Sequence, residues 1–193
     1  MDNLTGSLVN LRPLREGDFE FLAGLRNDMR TQGWNQRLPP CYTPKMVKDR
    51  VEKNYEKPDR GVWGIETKDG KLVGYINYEE SPPRLGATIG IITCMDSWGK
   101  GHAKEAMELI LRFLFEERGL QVASLWTLSD RVRMIGLAEK LGFKVSARLR
   151  EGAIIGGNVY DTVIMDILRE EYFGSRNTED GLKPLLGDSA SPR

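Results

Sequence analysis

The residues from Asp96 to Glu105, Asp96-Ser97-Trp98-Gly99-Lys100-Gly101-His102-Ala103-Lys104-Glu105, carry the clearest chemical signal in the chain. Gly99 and Gly101 allow a tight turn and a close backbone approach by a ligand. An apolar-periodic stretch follows, so the loop opens a helix. The first turn of a helix offers unpaired amides and a dipole that favours anions. Lys100 and Lys104 add positive charge beside it. Such a loop could cradle a pyrophosphate, although Gly-rich strand-to-helix turns without a ligand are also common. His102 is the sole histidine, and either a phosphate-side contact or an ordinary half-exposed place at a helix start suits it. Cys94 has no histidine near it in sequence and reads as a small buried strand residue. Trp98 either lines a groove or anchors the loop.

Other groups able to move protons are Glu79, Glu80 and Asp161, with the hydroxyls of Tyr75, Tyr78 and Tyr160. Neutral amines attack acyl groups through their lone pair, so a carboxylate or water must accept the ammonium proton. Trp34, Gln36, Leu38 and Tyr42 lie in an irregular aromatic stretch that either contacts a substrate or closes one end of the core.

The elements that must position these groups follow from periodicity and breakers. A first strand covers 8–14. Asp18 caps a helix from Phe19 to Met29, and Thr43-Pro44 starts another. Strands over 62–67 and 72–79 flank a Lys68-Asp69-Gly70-Lys71 turn. Ser81-Pro82-Pro83 breaks the pattern before a strand at 86–94. The long helix at 101–117 places Ala103, Met107, Ile110, Leu111 and Leu114 on one face. A strand at 122–128 and a helix at 131–140, closed by Gly142, come next. Strands at 143–151 and 159–168 flank Gly156-Gly157-Asn158. Residues 174–193 form a polar tail expected to be mobile. The order does not fit a Rossmann fold, which needs regular βαβ alternation and early glycines. No Walker A run is present.

The chain has 193 residues, enough for one domain with a core. Lys plus Arg equals Asp plus Glu at 28 each, which argues against nucleic acid as the main partner. Cys41 and Cys94 form no metal-ligand pair and no disulfide framework, which points to a reducing, cytoplasmic setting. No apolar run reaches the roughly 20 residues of a membrane span.

Taken together, several segments resemble the GNAT superfamily of N-acetyltransferases, particularly the branch acting on ribosomal-protein N-termini or polyamines. Asp96 to Ala106 is similar to the family loop [QR]xxGxG[AG] and to members reading PxxWGKGxAxEA. Leu137-Ala138-Glu139-Lys140-Leu141-Gly142-Phe143 resembles the common LYEKLGF ending. Leu11-Arg12-Pro13-Leu14-Arg15-Glu16-Gly17-Asp18 resembles the LRPLxxxD start. Gly157-Asn158-Val159-Tyr160-Asp161 is similar to NGxxxD.

The resemblance implies an α/β (α+β) fold of one acyl-CoA N-acyltransferase domain over 8–170, with a mixed, mostly antiparallel sheet flanked by helices. It implies acetyl-CoA as cofactor and direct acetyl transfer to a primary amine in a ternary complex. The amine would belong to a protein N-terminus, a polyamine or a small molecule, and the protein would be a monomer or homodimer. Thr93, Cys94 and Met95 map onto the strand end that binds the pantetheine arm. Trp98, Gly99, Lys100, Gly101, His102, Ala103 and Lys104 map onto the pyrophosphate loop, and Arg131 onto a further cofactor contact. Trp34, Gln36, Tyr42 and Glu80 are the acceptor-side candidates, with Glu79 and Tyr160 as the catalytic candidates. The chain departs from the family at Asp96, at Arg131 where an asparagine often contacts the cofactor arm, at Thr88 where a carboxylate is common, and at Ala138, the slot of the usual tyrosine acid. Met134 stands where some members carry serine. These departures motivate an alternative, an acyl-CoA-binding sensor or regulatory protein without turnover.

Overall fold

The computed structural model describes residues 4–28, 30–31, 41–81, 86–155 and 157–180. Its framework is an eight-stranded sheet in the order β1-β2-β3-β4-β5-β6-β8-β7. The strands are β1 (Leu4–Thr5), β2 (Val9–Arg12), β3 (Arg60–Thr67), β4 (Leu72–Ser81), β5 (Gly86–Thr93), β6 (Val122–Leu128), β7 (Lys144–Ile155) and β8 (Asn158–Leu168). Every neighbouring pair is antiparallel except β5 and β6, which run parallel. The helices are α1 (Asp18–Asn27), α2 (Pro44–Tyr55), α3 (His102–Arg112), α4 (Val132–Lys140) and α5 (Arg169–Asp180).

Two apolar layers cover the sheet. On one face, Met107, Ile110 and Leu111 of α3, with Leu114 just after it, lie on Leu11, Ile65, Ile76, Ile89, Leu125 and Met165. Trp63 is sealed there, with Phe113 edge-on at 5.5 Å. On the other face, α1 and α2 bury Phe19, Leu22, Leu25, Val47 and Val51 against Val62, with Tyr75 and Ile92 at the margin. Burying such side chains is worth about 1.5–3 kcal/mol each.

Local chemistry sets the element ends. Thr43 Oγ1 accepts from the Met46 amide at 3.3 Å and Pro44 takes the first helical position, as the sequence predicts. At the end of α4, the Gly142 amide bonds Glu139 and the Phe143 amide bonds Ala138, the double closure of a Schellman turn.

Four expectations change. Asp18 is not the α1 cap, because Gly17 occupies that position and the Asp18 carboxylate instead accepts from Arg12 and the Arg15 amide. The long mid-chain helix is interrupted: α3 ends at Arg112 and a π-type turn runs Phe113–Glu117. Strand β1 and helix α5 have no strong periodic signature and are additional. The α5 backbone covers 169–180, so regular structure extends past the expected domain limit of 170. The expected helix end at Met29, the Pro82-Pro83 break and residues 181–193 lie outside the described residues.

Candidate active site

β6 stays bonded to β8 along its whole length, from Val122 against Leu168 to Leu128 against Thr162. Its parallel pairing with β5 is confined to Gly86, Ala87 and Thr88 against Val122, Ala123 and Ser124. β5 nevertheless pairs with β4 along its full length. The sheet therefore opens after Thr88, and among the described residues the β6-facing backbone of Ile89 to Thr93 has no strand partner. The last closed rung is marked by the Thr88 and Ser124 hydroxyls, 3.2 Å apart.

At the mouth of this opening the chain turns into α3. The Cys94 amide bonds the Val73 carbonyl at 2.8 Å, which fixes the strand end on β4. Met95–Ser97 makes a single 3₁₀ turn, and Trp98 Nε1 reaches back to the Thr93 carbonyl at 3.3 Å. Gly101 then adopts φ +83° at the start of α3. The amides of Gly99, Gly101, His102 and Ala103 bond no described residue, and Glu105 N pairs with the Gly101 carbonyl. The Ser97 hydroxyl and His102 Nδ1 are buried in the same turn with no hydrogen-bond partner among the described residues. Unpaired amides at a helix start and orphaned buried polar atoms are the expected marks of a site shaped for an anionic ligand. The residues fit a pyrophosphate.

Charge is arranged to match. Asp96 is exposed. Glu105, the acid in the first turn of α3, is turned back and consumed elsewhere. It accepts from the Ser7 amide at 2.7 Å, from the Leu8 and Val9 amides at 2.6 Å each, and from the Ser7 hydroxyl. Burial pushes the Glu105 carboxyl up, but these donors together hold it below the usual glutamate range. Lys100 is exposed, whereas Lys104 is paired with Glu108 at 2.8 Å along its own helix. Across the opening, Arg131 caps α4 near Asp130, and the Arg133 guanidinium lies 5.7 Å from the Trp98 ring. Arg133 escapes sequence reasoning because it stands at no motif position, and Glu105, although it matches the motif Glu, shows its partners at Ser7, Leu8 and Val9 only in the fold.

The opposite face of the sheet, under α1 and α2, carries Tyr75, Asn77 and Glu79 on β4, Thr88, Gly90 and Ile92 on β5, and Ser124 and Trp126 on β6. Asn77 lies over Gly90, where a Cβ would stand 2.8 Å from its Oδ1. Trp126 is 54% exposed, a large apolar ring left open beside the gap. Arg26, from the last turn of α1, donates to the Tyr75 hydroxyl at 2.8 Å and stacks 4.7 Å from the Tyr42 ring. The Tyr42 backbone is held at both ends by the Asn27 amide side chain. Burial pushes the Tyr75 phenol up against the pull of Arg26 and Arg50, so it stays protonated at neutral pH.

The predicted acceptor and catalytic residues do not converge. Glu80 faces the α3 side and is buried in an ion pair with Arg118 at 2.6 Å, so alternation takes it off the acceptor face that Glu79 shares. Glu79 is exposed and paired with Arg60. Tyr160 lies beyond the end of β6, opposite Ala153, and its offset from the row of Glu79, Thr88, Ser124 and Asp166 is about 20 Å along β8. Glu79 and Tyr160 cannot flank one reacting bond. Ala138 is fully buried in the core, where its methyl packs rather than reacts. Trp34, Gln36 and Leu38 lie outside the described residues.

A sheet opened between two parallel strands, with an anion-ready turn at its mouth, defines an acyl-CoA-type acyltransferase scaffold. Residues 9–144 match the family model described as "Acetyltransferase (GNAT) domain", and the chain belongs to this acetyltransferase family. It is 27% identical over 169 residues to the SPbeta prophage-derived uncharacterized N-acetyltransferase YokL of Bacillus subtilis, covering 87% of this chain and 94% of that protein. The fold is similar to spermidine N-acetyltransferase from Vibrio cholerae in complex with CoA and spermine, with a TM-score of 0.79 and 23% identity over 87% of this chain and 99% of that one. It is also similar to a GNAT-family acetyltransferase from Bacillus anthracis, with a TM-score of 0.76 and 18% identity over 88% and 99% of the two chains.

Proposed function

We propose that the protein transfers the acetyl group of acetyl-CoA to a primary amine, the acceptor standing on the face of the sheet covered by α1 and α2. The observation that carries this is the edge of β5 from Ile89 to Thr93, unpaired among the described residues, leading into the amides of Gly99, Gly101, His102 and Ala103, which bond no described residue. The strand edge presents donors and acceptors to an amide-bearing arm. The loop amides, with Lys100 beside them, would hold the pyrophosphate. Thr93, Cys94 and Met95 hold the arm at the strand end, and Arg131 and Arg133 stand on the far wall. The cofactor supplies a thioester acyl group, to which the amine nitrogen bonds as the carbon–sulfur bond breaks.

On the acceptor side the chain orients the amine, and positioning supplies much of the rate when the leaving group is a thiolate. Asn77 and Trp126 border the gap, and the amine proton passes to water on the open face. Cys41 and Cys94 are both free thiols, in keeping with a reducing cytoplasmic setting. Release of thiol from acetyl-CoA in the presence of a panel of primary amines tests the reading. Coenzyme A binding without turnover on any amine would instead favour an acyl-CoA sensor.

A further inference from the structure

The acceptor face carries a cation where a polyamine-binding face would need carboxylates. The Arg26 guanidinium has one hydrogen bond, to Tyr75, and among the described residues no carboxylate partner. It is half-buried between the Tyr42 and Tyr75 rings, which hold its plane in place. Arg50 is exposed on the neighbouring helix, also without an ion pair, and its charge reaches Tyr75.

Three of the acids near this face are committed to other partners, and Asp166 lies further off, on β8. Glu79 is paired with Arg60, Asp28 with Arg30, and Asp18 with Arg12. Between Asp28 and Asp49 the sequence holds Arg30, Arg37, Lys45 and Lys48 and no Asp or Glu. A half-buried, oriented guanidinium whose other donors meet no described residue suits a carboxylate, which it can grip through two parallel bonds. A polyammonium chain would meet repulsion there.

Resting on the transferase reading, we propose that the acceptor is an amine bearing a carboxylate, and that Arg26 is the specificity-determining residue that binds it. An α-amino acid and a peptide whose first residues include an acid share this chemistry. The tyrosines orient Arg26, and Trp126, across the opening, offers an apolar surface to the remainder of the acceptor.

Matched acceptors test this in the thiol-release assay: free α-amino acids against their carboxamides, Ala-Asp peptide amides against Ala-Asn ones, and spermidine. Carboxylate-bearing members of at least one pair are expected to show kcat/KM at least about tenfold above their neutral partners, as a charged hydrogen bond implies. The pair that discriminates identifies the source. Arg26→Gln should collapse that ratio, chiefly through KM, with Arg26→Lys restoring part of it. If Arg26→Gln does not fold, the wild-type ratios alone decide. Spermidine or the neutral partners being preferred would overturn the inference and leave the transferase intact. No release with any amine, despite coenzyme A binding by calorimetry, would overturn both.

Discussion

The Leu8 Cδ1 methyl lies 3.1 Å from the point where a Cβ on Gly101 would stand, so the β1–β2 turn packs directly against the anion-ready loop. Gly101 also holds φ +83°, a region that costs a β-branched residue about 1–3 kcal/mol. Space and torsion both select glycine here.

Gly101→Val is therefore expected to lower stability as well as coenzyme A affinity. The affinity loss should be at least about tenfold in the folded fraction, because the free amides beside Gly101 are displaced. Adding Leu8→Ala removes the contact but not the torsion, so the double variant should recover part of the stability and little affinity. Calorimetric titration paired with thermal unfolding separates the two effects. Full affinity in a folded Gly101→Val protein would mean that the loop does not hold phosphate.

Glu105 is the clasp between α3 and the amino-terminal hairpin. Glu105→Ala should destabilise by about 1–2 kcal/mol, the worth of charge-assisted bonds in a half-exposed place. Its carboxyl is held below the ordinary value, so the stabilisation is present above the unfolded pKa of about 4.3 and is lost as pH falls through the folded value. Denaturant unfolding of wild type and variant should converge as pH drops below about 4. A constant gap down to pH 2 would contradict the clasp.

Arg12 sits between Asp18 at 2.7 Å and Glu66 at 2.6 Å, with 6% of its side chain exposed. Arg12→Met leaves two carboxylates uncompensated in the interior and should cost about 3–5 kcal/mol. Burial pushes the Asp18 carboxyl up, and the bonds from Arg12 and the Arg15 amide outweigh it. Its share of stability is thus also lost on acidification. Urea midpoints of the variant at pH 7 within error of wild type would sink this account.

A general acid or base contributes roughly 10²–10⁴-fold. Glu79 is tied to Arg60 and Tyr160 lies far along β8. Glu79→Gln is expected to reduce kcat by less than about tenfold and Tyr160→Phe by less than about twofold. Steady-state kinetics on a turning-over amine decides, and a loss above about a hundredfold for either would assign it a proton.

Much of the fold was legible because its signals are local. Thr43-Pro44, the Asp69-Gly70 turn and the alternation in β3, β4 and β6 fix elements within a residue or two of the observed ends. The loop was legible because glycines and a helix start suffice to imply free amides. The acceptor face was not, since it depends on which face each strand residue takes and on register across four strands. Glu79 and Glu80 are neighbours in sequence yet lie on opposite faces, and only pairing shows which is buried. Arg26 matters through Tyr75, far along the chain, so no spacing rule reveals it. The apolar stripe Met107, Ile110, Leu111 and Leu114 was legible from helical spacing, whereas the π-type turn at Phe113–Glu117 was not, since no residue type there marks it.

The gap between β5 and β6 is an unfinished seam in an otherwise continuous sheet. In the bare protein, among the described residues, three rungs at Gly86, Ala87 and Thr88 join the β1–β5 half to the β6–β8 half through strand pairing. A ligand that laces into the exposed edge serves as the missing stitching and binds the native state alone. By mass action it then raises the unfolding free energy by about 4 kcal/mol at a thousandfold excess over its dissociation constant. Durability is in this sense borrowed from the ligand, and heat or protease resistance becomes a gauge of how much of it surrounds the protein.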